Sequence, residues 1–430
     1  MAERPDPPPA HVDHVLLITP VMPDPRGDGR AKRAHLWLTK LRATAAVRVI
    51  VVRSVATAPE FVPAGGDVDG APVTEIAVCS SRWMRAIRVL CAFLPKPADR
   101  FSRPLEWVFC RGRLRRALEA WRAERGGGRF ARILCFRLYL SEIALAVAQI
   151  EQQRTGVSPL LELDLDDIES EANRELAALA FRDGDVRRAA LFAGSRRAYR
   201  FAERRWLPQF AHVTVGCSED QAAIERRFGT LRTRIVPNRL FAPLVPPATG
   251  LRGDPQSDLR ALFVGTLGYL ANSQAALWFA AEVLPLLRQF DPRWTFLIAG
   301  FSAPAALRHR LQRMAGVELL SPASRIEDCY RRSRVVVAPL RAGGGTKIKA
   351  IEALAHACPL VATDKAVRGL GVVDGIHYWK AHSSEEFAAA CKALAADPAR
   401  AAALGERGRS YVQAEFLYGA ATVGGLSLPA

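Results

Sequence analysis

The chain has 430 residues and a formal net charge of +17 at pH 7, with 60 basic residues against 43 acidic ones. Hydrophobic residues make up 50% of it and charged residues 24%, a balance that excludes a globally disordered chain. At roughly 150 residues per domain, the length predicts two or three domains. The charge indicates nucleic acid, an anionic membrane surface or a phosphate-bearing ligand as a partner. The alternative is a coding preference for arginine, since only eight of the 60 basic residues are lysine.

The eight cysteines indicate neither a disulfide framework nor a metal site. They are scattered along the chain without a Cys-x-x-Cys pair, and none has a histidine at the spacing of a zinc site. The N-terminal sequence lacks the apolar core of a signal peptide, and no apolar stretch approaches the ~20 residues that span a bilayer. We therefore expect a soluble, cytoplasmic protein without a bound metal.

Predicted strands and helices alternate through the first half of the chain. A Pro-rich start at 1–12, predicted to be disordered, precedes an apolar strand at 14–19 and a loop that contains Gly27 and Gly29. The pattern of strand, loop, helix and strand is the opening of a βαβ unit. The remaining elements of this half are a helix at about 30–41, a long charged helix from about 168 to 206, and strands at 47–52, 73–78, 132–136, 159–163, 212–217 and 234–236.

A Pro- and Gly-rich linker at 241–258 separates this half from a second alternation. Short apolar runs between helices indicate parallel sheets that are buried on both faces. The fold class is therefore predicted to be α/β, with two doubly wound Rossmann-like domains, at 13–240 and 259–415, that face each other across a cleft and are followed by a tail at 416–430. The second alternation has strands at 261–264, 295–299, 317–320, 334–338 and 359–363, and helices near 272–288, 304–313, 325–332, 347–356 and 384–396.

The segment 335–356 passes from a strand through a glycine loop into a helix. Gly343, Gly344 and Gly345 allow the backbone to approach a ligand closely, and Thr346 is the expected N-cap of the helix. The free N–H groups and the dipole at the start of that helix suit an anion such as a diphosphate. The alternative is that the three glycines only form a tight turn, because the segment matches neither a Walker A loop nor a Gly-x-Gly-x-x-Gly motif.

Two charged side chains of the same helix fit such a ligand. Lys347, in the first turn, would add positive charge, and Glu352 is placed to accept hydrogen bonds from ribose hydroxyls. The alternative for Glu352 is an ordinary surface position.

The block at 338–363 resembles the donor-binding loop and helix of glycosyltransferase family 4 (group 1), whose members have the GT-B fold. Its pattern is Ala-Pro-Leu-Arg-x-Gly-Gly-Gly-Thr-Lys-x-Lys-x-x-Glu-Ala-Leu-Ala. The resemblance covers about 210–415 well and the N-terminal half loosely. Supporting segments occur in the family's order, at 217–220, 236–238, 263–265, 272, 278–279, 283–285, 298–300 and 368–370.

This resemblance implies a retaining, metal-independent transferase that uses a nucleotide-diphosphate sugar and no cofactor. It places the donor in the C-terminal domain and the acceptor, a glycan or lipid-linked saccharide, in the N-terminal domain. Gly343 to Thr346 would then cradle the diphosphate and Glu352 would hold the ribose. Gly265, at the end of the first C-domain strand, and Gly27 and Gly29, in the first N-domain loop, would face the donor.

The sequence departs from the family pattern at two places. Many members have two glutamates eight positions apart, and the first of them would fall at Gly344, so that the carboxylate thought to contact the donor sugar is missing. Members also often carry a lysine soon after the first C-domain strand, and the segment 265–273 has none. Arg341, Lys347 or Lys349 would have to balance the diphosphate instead.

Three other features are candidates for a site, and the first two of them have two interpretations each. The Asp-x-Asp of Asp164 to Asp167 would hold a divalent cation in a GT-A enzyme, but capping of the next helix or a polar ligand-facing edge is favoured here because no partner cluster is visible. His35 lies on the helix after the first loop and is a candidate catalytic residue or an ordinary helix-face histidine. Arg137 follows a strand at its carboxyl end and is a candidate acceptor contact.

The segment 82–122 combines eleven basic residues with tryptophan and phenylalanine. This composition is typical of an amphipathic surface that docks on anionic lipid, and the alternative is a solvated helix face with inward aromatic residues. The first interpretation predicts peripheral attachment to the inner face of a membrane through the basic N-terminal domain.

The leading hypothesis is a hexosyltransferase or related sugar transferase in cell-envelope or exopolysaccharide synthesis. A nucleotide-sugar epimerase on the same fold is an alternative, although no convincing acid–base set is visible. A non-catalytic basic binding protein is another, and a degenerate transferase acting as a scaffold is a third. Nucleic acid is not expected as a partner, because no helix-turn-helix, RNA-binding or zinc-module signature is present.

Overall fold

A computed structural model describes residues 13–55, 61–79, 118–123, 128–229, 231–241, 259–323 and 326–418. The chain divides into two compact units, one made of residues 1–170 and 190–236 and the other of residues 171–189 and 237–430. The segment 171–189 thus belongs to the second unit, although its sequence position is within the first predicted domain. The Pro-rich start, residues 242–258 of the linker and residues 419–430 of the tail lie outside the described residues.

The first unit contains an eight-stranded sheet with the order β3-β4-β2-β1-β5-β6-β7-β8. Neighbouring strands are parallel except for β3 and β4, which form an antiparallel hairpin at the edge. Each strand predicted for this half is present, and β3 is an additional one. The strands are β1 Asp13–Thr19, β2 Ala46–Val55, β3 Phe61–Val68, β4 Ala71–Cys79, β5 Arg129–Phe136, β6 Leu160–Asp164, β7 His212–Val215 and β8 Thr233–Ile235.

The long charged helix predicted over 168–206 is wrong, because two helices occupy this segment. They are separated at Asp183–Asp185, where Gly184 has a left-handed φ of +76° that ends the first helix. The helices described between β1 and β8 are α1 Gly29–Arg42, α2 Ser141–Thr155, α3 Glu169–Arg182, α4 Val186–Trp206 and α5 Ser218–Phe228.

Alternate residues of β1 pack into different hydrophobic clusters. Leu16 and Ile18 belong to one cluster, and Val15 and Leu17 belong to another. Because successive side chains of a strand point to opposite faces, the sheet is buried on both sides, as the apolar runs predict.

The strand order of the first sheet changes direction beside β1. The chain passes from β1 to β2 on one side and later returns to β5 on the other side. In doubly wound sheets the carboxyl ends of the strands at such a point border the ligand-binding crevice. The loop with Gly27 and Gly29 follows β1, and Arg137 follows β5, so both lie at this point of the first sheet.

The second unit contains a parallel six-stranded sheet with the order β12-β11-β10-β13-β14-β15 and a small sheet of β9 and β16. The change of direction falls between β10 and β13. Each strand predicted for the second half is present. The strands are β9 Leu240–Phe241, β10 Arg260–Thr266, β11 Thr295–Phe301, β12 Val317–Leu320, β13 Val335–Ala338, β14 Leu360–Ala362, β15 Trp379–Lys380 and β16 Leu417–Tyr418.

Each helix predicted for this part is present, and two further helices lie at Asp364–Val367 and Pro398–Glu415. A π-helical turn at Phe279–Val283 divides the helix predicted near 272–288. The helices are α6 Leu270–Trp278, α7 Leu284–Phe290, α8 Ala305–Gln312, α9 Ile326–Arg331, α10 Ile348–Ala355, α11 Asp364–Val367, α12 Ser384–Ala396 and α13 Pro398–Glu415.

Candidate functional site

Loops from three neighbouring strands meet at the carboxyl edge of the second sheet. They follow β10, β13 and β14, so they include the two strands at which the strand order changes direction. The Thr363 hydroxyl donates a hydrogen bond of 2.6 Å to the Leu340 carbonyl and thereby joins the loops after β13 and β14. A Cβ on Gly343 would lie 3.2 Å from the hydroxyl oxygen of Tyr269, which brings the loop after β10 to the same place.

The glycine loop after β13 has a backbone that requires glycine at two of its three glycine positions. Gly343 and Gly345 have φ angles of +116° and +59°, whereas Gly344 is not left-handed. The Lys347 ammonium donates hydrogen bonds to the carbonyl of Gly343 at 3.2 Å, to that of Gly344 and to that of Gly345 at 2.7 Å. The positive charge of Lys347 is therefore bound by the loop carbonyls. The prediction from the sequence was that this charge would face a ligand from the first turn of the helix.

The start of helix α10 lies one residue later than predicted. Lys347 is the N-cap, without a capping side chain, so the prediction of Thr346 as the N-cap is wrong. The Thr346 hydroxyl instead accepts a hydrogen bond of 2.6 Å from the Asn238 side-chain amide, and both residues are buried. This bond fixes the residue that ends the glycine loop.

Lys349, in the first turn of α10, is the cation that lies against β10. Its ammonium donates a hydrogen bond to the Asn272 side-chain oxygen and lies 4.6 Å from the centre of the Phe263 ring. A Cβ on Gly265 would lie 2.7 Å from the ammonium nitrogen, so the glycine leaves room for the lysine. Burial, and secondarily the charge of Lys347, lowers the pKa of Lys349 to about 7.

Glu352 lies one turn further along α10 and is partly exposed. The Tyr330 hydroxyl is 3.5 Å from one of its carboxylate oxygens. Tyr330 is itself buried, and burial together with the negative charge of Glu352 raises the pKa of its phenol well above the ordinary value. The phenol is therefore protonated and donates to the carboxylate.

Arg341 lies beside a separate pocket of the second unit. Its guanidinium stacks on Trp278 at 4.1 Å from the ring centre. The pocket has a volume of about 290 Å³ and is also bordered by Asp183, Glu282 and Arg310. Of the three basic residues predicted to balance a diphosphate, Lys349 is the one placed against the end of β10, while Lys347 binds the loop and Arg341 stacks on Trp278.

The carboxylate of Glu175, on α3, lies at the glycine loop and was not found from the sequence. It accepts a hydrogen bond of 3.0 Å from the Gly343 backbone N–H and forms a salt bridge with Lys365 of α11. Asn238 was noted only as part of the family segment 236–238, without a role at the glycine loop, because it comes from a distant part of the chain. Asn272 was noted only as part of the family pattern.

In the first unit, Gly27 and Gly29 lie in the loop and at the start of α1. Asp28 caps the helix, since its side chain accepts hydrogen bonds of 3.0 Å from the backbone N–H groups of Arg30 and Ala31. A Cβ on Gly27 would lie 2.5 Å from that of Ala31, so the close approach of loop and helix requires glycine there.

His35 packs against the turn between β3 and β4. Its Nδ1 lies 3.4 Å from a carboxylate oxygen of Asp69, and burial lowers its pKa. That turn precedes β4, which runs parallel to β2, so it lies near the amino ends of the parallel strands. His35 is therefore directed toward the edge of the sheet opposite to the one that bears Arg137.

The Asp-x-Asp after β6 is bound by two arginines. Asp164 accepts hydrogen bonds of 2.6 and 2.7 Å from the Arg33 guanidinium and one of 2.5 Å from the Trp37 indole. Arg137 donates to Asp166 at 2.9 Å. These contacts join helix α1 and the loop after β5 to the end of β6.

Carboxylates outnumber guanidinium groups in this cluster. Arg137 also lies 3.4 Å from Asp167 and from Glu169. Burial, and then the charge of Asp167, raises the pKa of Asp166 to about 6, and burial raises that of Glu169 well above its ordinary value. Arg137 and Asp166 both have left-handed backbones, with φ of +89° and +58°. Such strain in non-glycine residues is concentrated at functional positions of proteins.

The described residues contain neither a candidate metal site nor a membrane-spanning helix. Among them, no group of three or more His, Cys, Asp or Glu side chains is arranged to hold a metal ion. No helix in the described ranges is long and apolar enough to cross a membrane.

Part of this chain matches a known protein family, and its fold matches that of solved structures. Residues 258–397, about a third of the chain, match the family described as glycosyl transferases group 1. Sucrose-phosphate synthase from Thermosynechococcus elongatus superposes with a TM-score of 0.63 at 18% identity, over 94% of this chain and 95% of that one. The chain has the GT-B fold.

Other solved structures agree with this fold. The trehalose-6-phosphate synthase from Burkholderia multivorans has a TM-score of 0.59 at 13% identity over 94% of this chain and 95% of that one. Anabaena HepE, in complex with UDP and glucose, has a TM-score of 0.55 at 14% identity over 95% and 96%. No curated protein sequence is significantly similar to the chain.

The part of the chain that matches the group 1 family includes the site of the second unit. Gly265, the glycine loop, Lys349 and Glu352 lie within it, and the residues named in the first unit lie outside it. The basic segment predicted to dock on a membrane lies outside the described residues for most of its length, which includes all of 82–117.

Proposed function

We propose that the enzyme transfers a sugar from a nucleotide-diphosphate sugar to a hydroxyl of a glycan or lipid-linked saccharide in cell-envelope or exopolysaccharide synthesis. The reaction retains the anomeric configuration and needs neither a metal ion nor another cofactor. The second unit binds the donor, and the first unit binds the acceptor.

The observation that carries this proposal is the position of Lys349. Its ammonium lies beside Gly265, at the carboxyl end of β10, on the first turn of the helix that follows the glycine loop. An anion at this place is stabilised by the lysine charge and by the free N–H groups of the helix start. A diphosphate is the anion that the group 1 match makes relevant.

The same groups supply chemistry for transfer. The acceptor oxygen forms a bond to the anomeric carbon while the bond from that carbon to the diphosphate oxygen breaks, and the hydroxyl proton leaves with the diphosphate. Negative charge builds up on the departing diphosphate, where protonated Lys349 stabilises it more strongly than in the ground state. Glu352 holds the ribose through its carboxylate.

Retention and metal independence are proposed on two supports. One is the resemblance of the glycine loop and α10 to family 4. The other is a structural neighbour, a trehalose-6-phosphate synthase described as an enzyme of glycosyl transfer with retention, at 13% identity and a TM-score of 0.60. The positive charge at the donor site comes from the protein itself, through Lys349.

For the acceptor we propose the point in the first sheet where the strand order changes direction. The loop with Gly27 and Gly29 and the strained Arg137 border this place. The carboxylates around Arg137 are suited to accept hydrogen bonds from sugar hydroxyls.

Attachment to the inner face of a membrane is proposed on the composition of the segment 82–122. Helix α4 adds seven arginines in 21 residues. Vesicles containing anionic lipid retain the protein at low salt and release it at high salt if this is correct. Failure of such vesicles to retain it at low salt would contradict the attachment. No nucleic acid partner is proposed.

The donor is tested with a panel of UDP-, GDP- and ADP-sugars in the presence of a chelator. We expect one nucleotide class to raise the melting temperature of the protein and to be hydrolysed slowly or transferred to an added saccharide. NMR of the anomeric proton of the product reports retention. Absence of binding by every nucleotide sugar would refute the proposal, and restoration of activity by a divalent cation would refute its metal-independent part.

A further inference from the structure

The carboxylate of Glu175 lies where the loops after β13 and β14 meet. One of its oxygens accepts the hydrogen bond from the Gly343 N–H at 3.0 Å, and the other pairs with the Lys365 ammonium. Lys365 follows β14 and Gly343 follows β13, and these strands are neighbours. Glu175 is therefore at the carboxyl edge of the second sheet, and a quarter of its side chain is accessible to solvent.

Gly343, whose N–H binds Glu175, directly precedes Gly344, the position at which the loop departs from the family pattern. Many members of the family that this loop resembles carry a glutamate eight positions before the counterpart of Glu352, and that position is Gly344 here. The backbone of Gly344 is not left-handed, in contrast to Gly343 and Gly345, so backbone geometry does not require a glycine there. A carboxylate from α3 thus lies beside the place where the carboxylate of the loop is missing.

We propose that Glu175 is the residue that binds the hydroxyls of the donor sugar, supplied by α3 in place of a glutamate at 344. This inference rests on the proposed function of the same site. It makes Glu175 a specificity-determining residue and selects neutral, hydroxyl-rich donor sugars over acidic ones.

The charges around Glu175 support this assignment. A carboxylate repels a diphosphate, so its favourable partner within a nucleotide sugar is the neutral sugar ring. Lys365 balances the charge of Glu175, which limits the repulsion of the nearby diphosphate. The two bonds to Gly343 and Lys365 orient the carboxylate and use only part of its capacity, since a carboxylate accepts about four hydrogen bonds.

An acidic donor sugar would be repelled by the carboxylate of Glu175. The carboxylate of a uronic acid would lie near that of Glu175 and could not donate a hydrogen bond to it when ionised. If the nucleotide is UDP, the wild-type enzyme is therefore expected to bind UDP-glucose at least tenfold, on the order of magnitude of one lost hydrogen bond, more tightly than UDP-glucuronic acid. If the nucleotide is GDP, it is expected to bind GDP-mannose more tightly than the corresponding uronic acid donor.

The decisive variant is Glu175→Gln, with Glu171→Gln as a matched control. Glu171 lies on the same helix and pairs with Arg174 at 2.9 Å. Calorimetric titration gives the dissociation constants of the nucleotide sugar and of the free nucleoside diphosphate for each protein. In Glu175→Gln we expect about tenfold weaker binding of the neutral donor, nucleoside diphosphate binding within about twofold of wild type, and reduced discrimination against the uronic acid donor.

A rescue experiment separates this role from a purely structural one. The double variant Glu175→Gln with Gly344→Glu restores a carboxylate at the family position, and we expect it to recover binding of the neutral donor. Glu175→Asp keeps the charge but shortens the side chain by one methylene, so it decides the question if the glutamine variant does not fold. We expect Glu175→Asp to weaken binding of the neutral donor while nucleoside diphosphate binding is unchanged.

Three results would overturn the assignment. Tighter binding of the nucleoside diphosphate by Glu175→Gln would show that the carboxylate occupies the phosphate position and must leave. Unchanged binding of both donors in the glutamine and aspartate variants would show that Glu175 has no contact with the sugar. Equal loss of nucleotide sugar and nucleoside diphosphate binding, without rescue by Gly344→Glu, would show that it only positions the loop. Failure of wild type to bind any of the nucleotides would instead refute the proposed function.

Discussion

The side-chain ammonium of Lys349 donates a hydrogen bond to the side-chain oxygen of Asn272 and thereby links α10 to the segment after β10. The amide group of Asn272 in turn donates to the Thr266 carbonyl at 2.9 Å, which directs the Asn272 oxygen toward the lysine. Since burial lowers the pKa of Lys349 to about 7, the charge of this ammonium changes near neutral pH in the protein without a ligand. An anionic donor favours the protonated form, so binding and proton uptake are linked.

The affinity for a nucleotide sugar is therefore expected to fall as the pH rises from about 6 to about 8.5, by up to about tenfold per unit above the pKa. A nucleotide sugar is the right probe because its phosphates do not titrate in this range, whereas a terminal phosphate has a pKa of about 6. Titration calorimetry at several pH values in two buffers measures both the affinity and the protons taken up. Lys349→Met should bind more weakly and lose this pH dependence, and an equal dependence in both proteins would contradict the assignment.

Glu352 is expected to act on the ribose, and its removal should affect the nucleotide part of the donor. Glu352→Ala is predicted to raise the donor KM about tenfold, because a carboxylate that accepts from hydroxyls is lost. Steady-state kinetics with the natural donor and with a donor lacking the ribose hydroxyls test this role directly. Glu352→Ala should bind the natural donor more weakly than wild type does. Its affinity for the donor that lacks the ribose hydroxyls should equal that of wild type.

Tyr330→Phe is the control for Glu352, since it removes only the hydroxyl that lies 3.5 Å from the carboxylate. We expect it to change the donor KM by less than about threefold, because the contact is long and the carboxylate stays in place. An unchanged KM in Glu352→Ala would refute the ribose role of that residue.

The strands could be predicted from the sequence because buried parallel strands appear as short apolar runs. Strand β3, at 61–68, has no such run, since proline and two glycines interrupt it, and it was missed. The break between α3 and α4 was missed because charged residues continue on both sides of Gly184. These failures occur where local composition does not change with the structure.

The glycine loop and α10 could also be predicted, because their residues are adjacent in the chain. The partners that complete the site could not. Glu175 is 168 residues away from Gly343, and Asn238 is 108 residues away from Thr346. The topology brings these side chains together, and a single sequence contains no pattern that pairs positions at such separations.

Asp164 is expected to stabilise the first unit through its buried contacts with Arg33 and Trp37. Both ends of the Asp164–Arg33 pair are fully buried. Asp164→Asn removes the carboxylate that is hydrogen-bonded to the guanidinium and leaves Asp166, at 3.6 Å, as its nearest countercharge. Breaking one side of a buried pair costs about 3–5 kcal/mol, and the remaining carboxylate places the expected loss toward the lower end of this range. Denaturant unfolding followed by tryptophan fluorescence measures the loss.

The exposed pair of Asp185 and Arg188, with an N–O distance of 3.4 Å, provides the contrast. Asp185→Asn should change stability by less than about 1 kcal/mol, because solvent screens exposed charges and asparagine also caps a helix. Equal effects of the two substitutions would show that burial does not govern the Asp164 pair.

Asp166 is expected to destabilise the protein when it is ionised. Burial and the charge of Asp167 raise its pKa from an ordinary 3.8 to about 6, so the folded chain holds a proton at pH values where the unfolded chain has lost it. Stability is therefore lost as the pH rises from about 4 to about 6, and above this window the full cost is present.

Asp166→Asn removes this cost, and asparagine tolerates the φ of +58° at this position. The variant should be more stable than wild type at pH 7.5, by at most about 3 kcal/mol, with a gain that shrinks toward pH 4. Thermal unfolding of both proteins across this pH range measures the difference. A gain that is independent of pH, or a loss at pH 7.5, would show that the bond to Arg137 outweighs the burial of the charge.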